Sequence, residues 1–125
     1  MPVASEFEEF ARELFEPFGG VAFRRMFGGV GIFREGMMFA LIIDDVLYLK
    51  ADDTTRARYQ AEGSNPFSYD AKGRTVVTSY WRLHDGVYDE PERFVELSQE
   101  AFAVAERAQA RKSVKGRKGR AKGTP

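Results

Sequence analysis

The chain has no cysteine. Without a thiol there can be no disulfide, no thiolate zinc site, no iron–sulfur cluster and no cysteine nucleophile, and the absence fits a reducing compartment. Histidine is almost as scarce, with His84 alone. General acid–base work at His84 would need a positioned partner, and a zinc site would need further histidine or carboxylate ligands. Neither pattern occurs, and next to Asp85-Gly86 the residue reads as part of a loop. No apolar run approaches the ~20 residues that cross a bilayer as a helix. The N-terminal stretch MPVASEFEEFARELF is acidic and amphipathic, not basic then apolar, so it does not read as a secretory signal or transit peptide. The expected compartment is the cytoplasm.

The net charge of zero conceals a division. All 19 acidic residues precede residue 110, and so do the aromatic residues, whereas seven of the 19 cations follow it: Arg111, Lys112, Lys115, Arg117, Lys118, Arg120 and Lys122. The body is therefore net acidic by seven charges and the tail net basic by seven. A stretch of Lys, Arg and Gly without aromatic residues buries too little apolar surface to offset its ordering entropy. The expected division is one folded domain over 1–110 and a disordered basic tail over 111–125.

Within the body, 43% apolar and 30% charged residues describe an ordinary globular composition. Ser5 and Glu8 have the spacing of a capping box, and Phe7, Phe10, Ala11 and Leu14 then recur on one helical face, ending at Pro17 and Gly19-Gly20. Strand character begins at Val21. Four short strands are expected at about 21–27, 30–34, 37–43 and 46–50, separated by Gly28-Gly29, Glu35-Gly36 and Asp44-Asp45, which suit two-residue turns. Asp52 or Asp53 is expected to cap a short helix over 54–61 with Gly63 just beyond it. Strands follow at 67–69 and 74–82, and then a helix capped by Asp89 with Pro91 in its first turn. Phe94, Leu97, Ala101, Phe102 and Ala105 line one side of that helix. The expected fold is α+β: a single antiparallel sheet of about five to six strands with flanking helices, in the order α-β-β-β-β-α-β-β-α.

The strand at 37–43 is apolar at every position and leaves no face suited to water, and the strand at 30–34 carries apolar residues of both parities. With few amphipathic helices to cover it, the sheet is expected to be sealed by self-association, so a homodimer is expected; the alternative is a monomer whose helices straddle both faces. Arg24 and Arg25 occupy adjacent strand positions and point to opposite faces. Arg25 thus becomes a candidate for either an internal salt bridge or a docking contact. Tyr80, Trp81 and Arg82 are residue types enriched at binding hot spots, with core packing of one or two of them as the alternative.

Other candidates resolve into structure. Gly28, Gly29 and Gly31 do not open a helix as a phosphate cradle must, so a turn or bulge is expected there. Asp44-Asp45 and Asp52-Asp53 lack the converging oxygens of a divalent-cation site. No cofactor, metal or catalytic set is expected. The seven tail cations have the electrostatic footprint of a nucleic-acid arm, and with no aromatic residue for base stacking any contact through them is expected to be non-specific. A solubilising tail, or one folding back on the acidic body, is the alternative.

The ordered motifs Met-Phe-Gly-Gly at Met26 to Gly29, Gly31 to Phe33, Met38-Phe39-Ala40, Leu47-Tyr48-Leu49-Lys50 and Ser79-Tyr80-Trp81 give the chain its resemblance to the TfoX N-terminal domain family over roughly residues 5–108. The resemblance implies an α+β domain of secretion-chaperone-like architecture that tends to pair. It implies a regulator, not an enzyme: named members control competence and DNA transformation genes, as coactivators beside a DNA-binding transcription factor. Those regulators carry a further C-terminal helical domain, and here the basic tail stands in its place, implying a stand-alone N-terminal domain. The resemblance carries no catalytic residue over. A chaperone-like or scaffold module that holds a partner protein, with the tail incidental, is the other functional reading.

Overall fold

The computed structural model describes residues 5–26 and 28–122, with side chains described as far as Ser113. Helix α1 spans Glu6–Phe15, and Ser5 caps it by accepting a hydrogen bond from the Glu8 amide at 3.0 Å. Only half of the expected capping box forms. The buried Glu8 carboxylate turns to Arg25 at 3.5 Å and Arg12 at 3.6 Å instead of returning to Ser5.

After Gly19 and Gly20, both at positive φ, the chain enters a meander of β1 (Val21–Met26), β2 (Gly29–Arg34), β3 (Met37–Ile43) and β4 (Val46–Lys50). Glu35-Gly36 and Asp44-Asp45 have positive φ at both positions, the mirror-image turn whose twist matches paired strands. Helix α2 (Arg56–Ala61) leads to β5 (Pro66–Ala71) and β6 (Arg74–Arg82), which are joined by Lys72-Gly73 in the same turn geometry. Strand β6 pairs with β4 and leaves β5 at the edge, so the six strands lie in the antiparallel order β1-β2-β3-β4-β6-β5.

Two local expectations change. Neither Asp52 nor Asp53 caps α2: Thr55 holds the cap position without a side-chain bond there. The Asp52 carboxylate is used one step earlier, accepting from the Thr54 amide and hydroxyl at 3.0 and 2.7 Å. Likewise, a 3-10 helix η1 (Asp85–Asp89), capped by His84 accepting from the Gly86 amide at 3.1 Å, takes up Asp89. Helix α3 then starts at Pro91, whose missing N–H costs nothing at the first helical position.

The helices pack against one face of the sheet. Ala11 and Phe15 of α1, Tyr59 of α2, Val87 of η1 and Phe94, Leu97, Ala101, Phe102 and Ala105 of α3 form one core with inward residues of the sheet. Phe15 meets Phe94 and Phe39 edge-on at 4.7 and 5.7 Å. A register shift in the β2–β3 pairing skips Phe39, so Phe39 and Ala40 both reach this core although they are neighbours in sequence. Arg34 lies over Phe18 at 4.2 Å at the margin.

The last helix spans Pro91–Lys122 and so crosses the division expected at Ala110. Extending a formed helix avoids the cost of nucleation, and Ala, Lys and Arg have high helix propensity. The composition that predicts disorder for 111–125 thus meets a helical backbone as far as Lys122. Residues 123–125 lie outside the described residues.

Candidate functional site

Strand alternation sends a second set of side chains away from the helices. Phe33 of β2, Met38 and Leu41 of β3, Tyr48 of β4, Phe67 and Tyr69 of β5 and Tyr80 of β6 lie outside the core cluster. Tyr48 packs on Phe67 at 5.4 Å, and Phe67 stacks with Tyr69 at 6.0 Å. Met38, Leu41, Phe67, Tyr69, Thr78 and Tyr80 enclose a groove of about 390 Å³. Tyr80 donates to the Met38 carbonyl at 3.3 Å, and burial pushes its phenol up to about 12. Helix α3 borders this set at its Met38–Tyr80 end, where Ala105, Ala108, Gln109 and Lys112 share a cleft with those two residues, while the helix-side core lies on the other face. Tyr69 remains 47% exposed. At the β1 end of this face Arg24 lies over the Phe33 ring at 5.0 Å.

Gly31 sits beneath that surface. A Cβ there would meet Met26, Phe33 at 3.0 Å and Met38 at 3.3 Å, while one at Gly29 would run into the Ile42 carbonyl and the Ile43 side chain. These glycines permit close approach, and Gly28 supplies a positive φ of 76° in the turn.

A second surface forms where β4 ends and α3 leaves the core. Lys50, Ser79, Arg56, Arg107 and Arg111 share a cleft with Asp52 and Asp53, and Lys50 and Tyr80 share an adjoining one with Gln109 and Lys112. Asp52 is taken by Arg107 at 2.9 and 3.0 Å, and Asp53 by Arg56 at 2.9 Å. Burial alone would raise the Asp52 carboxyl, but the Thr54 hydroxyl and Arg107 hold it down at about 2. The Lys50 ammonium donates to the Ser79 hydroxyl at 3.1 Å and lies 4.9 Å from the Tyr80 ring centre. Burial, then Lys112 and Arg111, lower its pKa.

The residues singled out from sequence scatter over these surfaces. Arg25 faces α1 and pairs with Glu8. Trp81 is buried in the core at 6.2 Å from the Tyr59 ring, while Tyr80 lines the open groove and Arg82 reaches Asp85 at 3.6 Å. They do not form one patch, because consecutive strand residues face opposite ways. Arg111 and Lys112 stand exposed on α3, and the side chains of Lys115, Arg117, Lys118, Arg120 and Lys122 lie outside those described. Sequence reasoning missed Lys50 and Arg107. Their role depends on where α3 crosses the sheet, for which no local pattern exists.

Residues 13–105, nearly all of the sheet and the packed helices, match the TfoX N-terminal domain. The chain belongs to that family. It is 32% identical over 79 residues to the DNA transformation protein TfoX1 of Aliivibrio fischeri, an alignment covering 63% of this chain and 38% of that relative. The TfoX N-terminal domain match thus takes in the whole sheet and all of the helix-side core but Ala11, and it stops at 105, before the basic end of α3. Among the described residues no helix is long and apolar enough to cross a membrane.

Proposed function

We propose that this chain is a competence-related regulatory domain of the cytoplasm that acts by binding, not by catalysis. It pairs with a second copy across the open sheet face and touches nucleic acid with the basic end of α3, as a coactivator beside a DNA-binding transcription factor would. The observation that carries the pairing is the continuous row from Phe33 through Met38 and Tyr48 to Phe67 and Tyr69 on the face that the helices leave uncovered. A two-fold pair requires a patch that meets itself, and an apolar sheet face with its cations at the margins satisfies this without juxtaposing like charges.

Light scattering tests the pairing. The expected result is a dimer mass that falls to the monomer in Tyr69→Lys, which places a charge on an exposed position of the face. A wild-type monomer at all concentrations overturns it and favours a partner polypeptide in the Met38–Tyr80 groove, the scaffold reading.

The nucleic-acid contact is favoured by the concentration of cations along one helix leaving an otherwise acidic body. Binding of DNA and RNA by the full chain is expected to fall steeply with salt, with a log-log slope of up to roughly −6. It should be nearly abolished when Lys115, Arg117, Lys118, Arg120 and Lys122 are all replaced by Gln. Equal weak binding by both proteins removes the contact.

A further inference from the structure

We infer that the double cleft around Lys50 is a phosphate seat on the folded body, which takes a backbone phosphate of the nucleic acid that the basic end of α3 contacts. The inference rests on the nucleic-acid reading above and adds to it a fixed point of attachment. Lys50 comes from the end of β4, Ser79 from β6, and Arg111 and Lys112 from α3, so three separate elements converge on one spot.

The two clefts contain five cations and two carboxylates. Both carboxylates are already engaged, Asp52 by Arg107 and Asp53 by Arg56. Lys50 shares one cleft with Arg111 and the adjoining one with Lys112, and the acidic group that acts on it, Asp52, is already held by Arg107. Burial first, and then Lys112 and Arg111, disfavour charge on the half-buried ammonium, against an opposing effect of Asp52. An anion seated at Lys50 would relieve the repulsion between it and either neighbour.

The donor geometry selects phosphate. Lys50 has three N–H donors, of which one goes to Ser79; the Ser79 hydroxyl, accepting that bond, keeps its own hydrogen to donate. Arg111 brings a planar fork and Lys112 a mobile ammonium. Donors arriving from several directions match the tetrahedral oxygens of a phosphate better than the two coplanar oxygens of a carboxylate. The location fits a polymer, because Arg111 and Lys112, which border the clefts, begin the run of seven cations that ends at Lys122.

The test uses the full chain, a short labelled DNA duplex and, separately, inorganic phosphate. Amide shifts in NMR should move at Lys50, Ser79 and Arg111 on adding duplex. Lys50→Gln should weaken duplex binding roughly threefold to tenfold and flatten the log-log salt slope by about one, with Lys50→Arg close to wild type. Shifts confined to residues beyond Lys112, with Lys50→Gln binding as wild type, overturn the seat and leave the α3 contact standing. Absence of duplex binding by the wild type overturns both. Shifts with inorganic phosphate but none with duplex overturn the polymer as occupant and assign the cleft to a small free phosphate.

Discussion

The two faces of this sheet are built from similar residues and treated differently. On the helix side, Phe15, Phe39, Phe94 and Phe102 interlock edge to face, and every neighbour is supplied by the chain itself. On the other side, Phe33, Met38, Tyr48, Phe67 and Tyr69 lie outside that core, with Tyr48 packed on Phe67 and α3 bordering the Met38 end. The lesson is that apolar composition marks a strand for burial without naming the cover, since strand periodicity does not say which side the helices take.

The largest effect belongs to the closed face. Phe94→Ala removes the ring that α3 sets against Phe15, and by denaturant melting it should cost about 3–5 kcal/mol. Next is Gly29→Ala, whose Cβ would meet the rigid Ile42 carbonyl. It should cost about 1–3 kcal/mol, and Gly31→Ala clearly less, because the methionine ends over Gly31 can swing aside. A larger loss at Gly31 would mean that the open face is as tightly fixed as the core. Third is Asp52, at the edge between the two surfaces. Its folded pKa of about 2 lies below the ordinary aspartate value of 3.8, so its contribution is complete above about pH 4 and disappears as pH falls through about 2. Asp52→Asn should cost about 1 kcal/mol at neutral pH and nothing at the acid end, as read from melts across pH. The smallest effect is on the open face: Tyr69→Ser, measured dilute enough to hold the monomer, should change stability by less than about 0.5 kcal/mol. A loss there comparable to Phe94→Ala would erase the distinction between the faces.

Much of the fold was legible in the sequence. The bounds of β3 and β4 follow from apolar runs between turn pairs and those of β6 from its Thr, Val, Tyr and Trp content, and the turns at Glu35-Gly36 and Asp44-Asp45 carry the positive φ that such pairs suit. The longer β5 was not legible, because Pro66, Asp70 and Ala71 are poor strand residues held there by pairing with β6. The bulge that turns Phe39 and Ala40 the same way breaks the period of two on which strand reading depends. Asp52 looked like a helix cap and became the partner of Arg107, a contact that exists only once α3 has docked. Of the basic surface, the run beyond Ala110 could be read directly, while Lys50 looked like an ordinary strand terminus until the fold brought Arg111 and Lys112 to it.

Helix α3 is anchored by Phe94, Leu97 and Phe102 and continues unbroken past Arg111. The backbone of α3 that carries Arg111 and Lys112 is therefore set in phase with the core. Adding one residue between Ala105 and Arg111 would rotate everything beyond it by about 100°, and adding seven would nearly restore the alignment while moving it about 10 Å outward. The spacing between Ala105 and Arg111 is thus a coded angle, and variation in the length of this stretch should come in whole helical repeats.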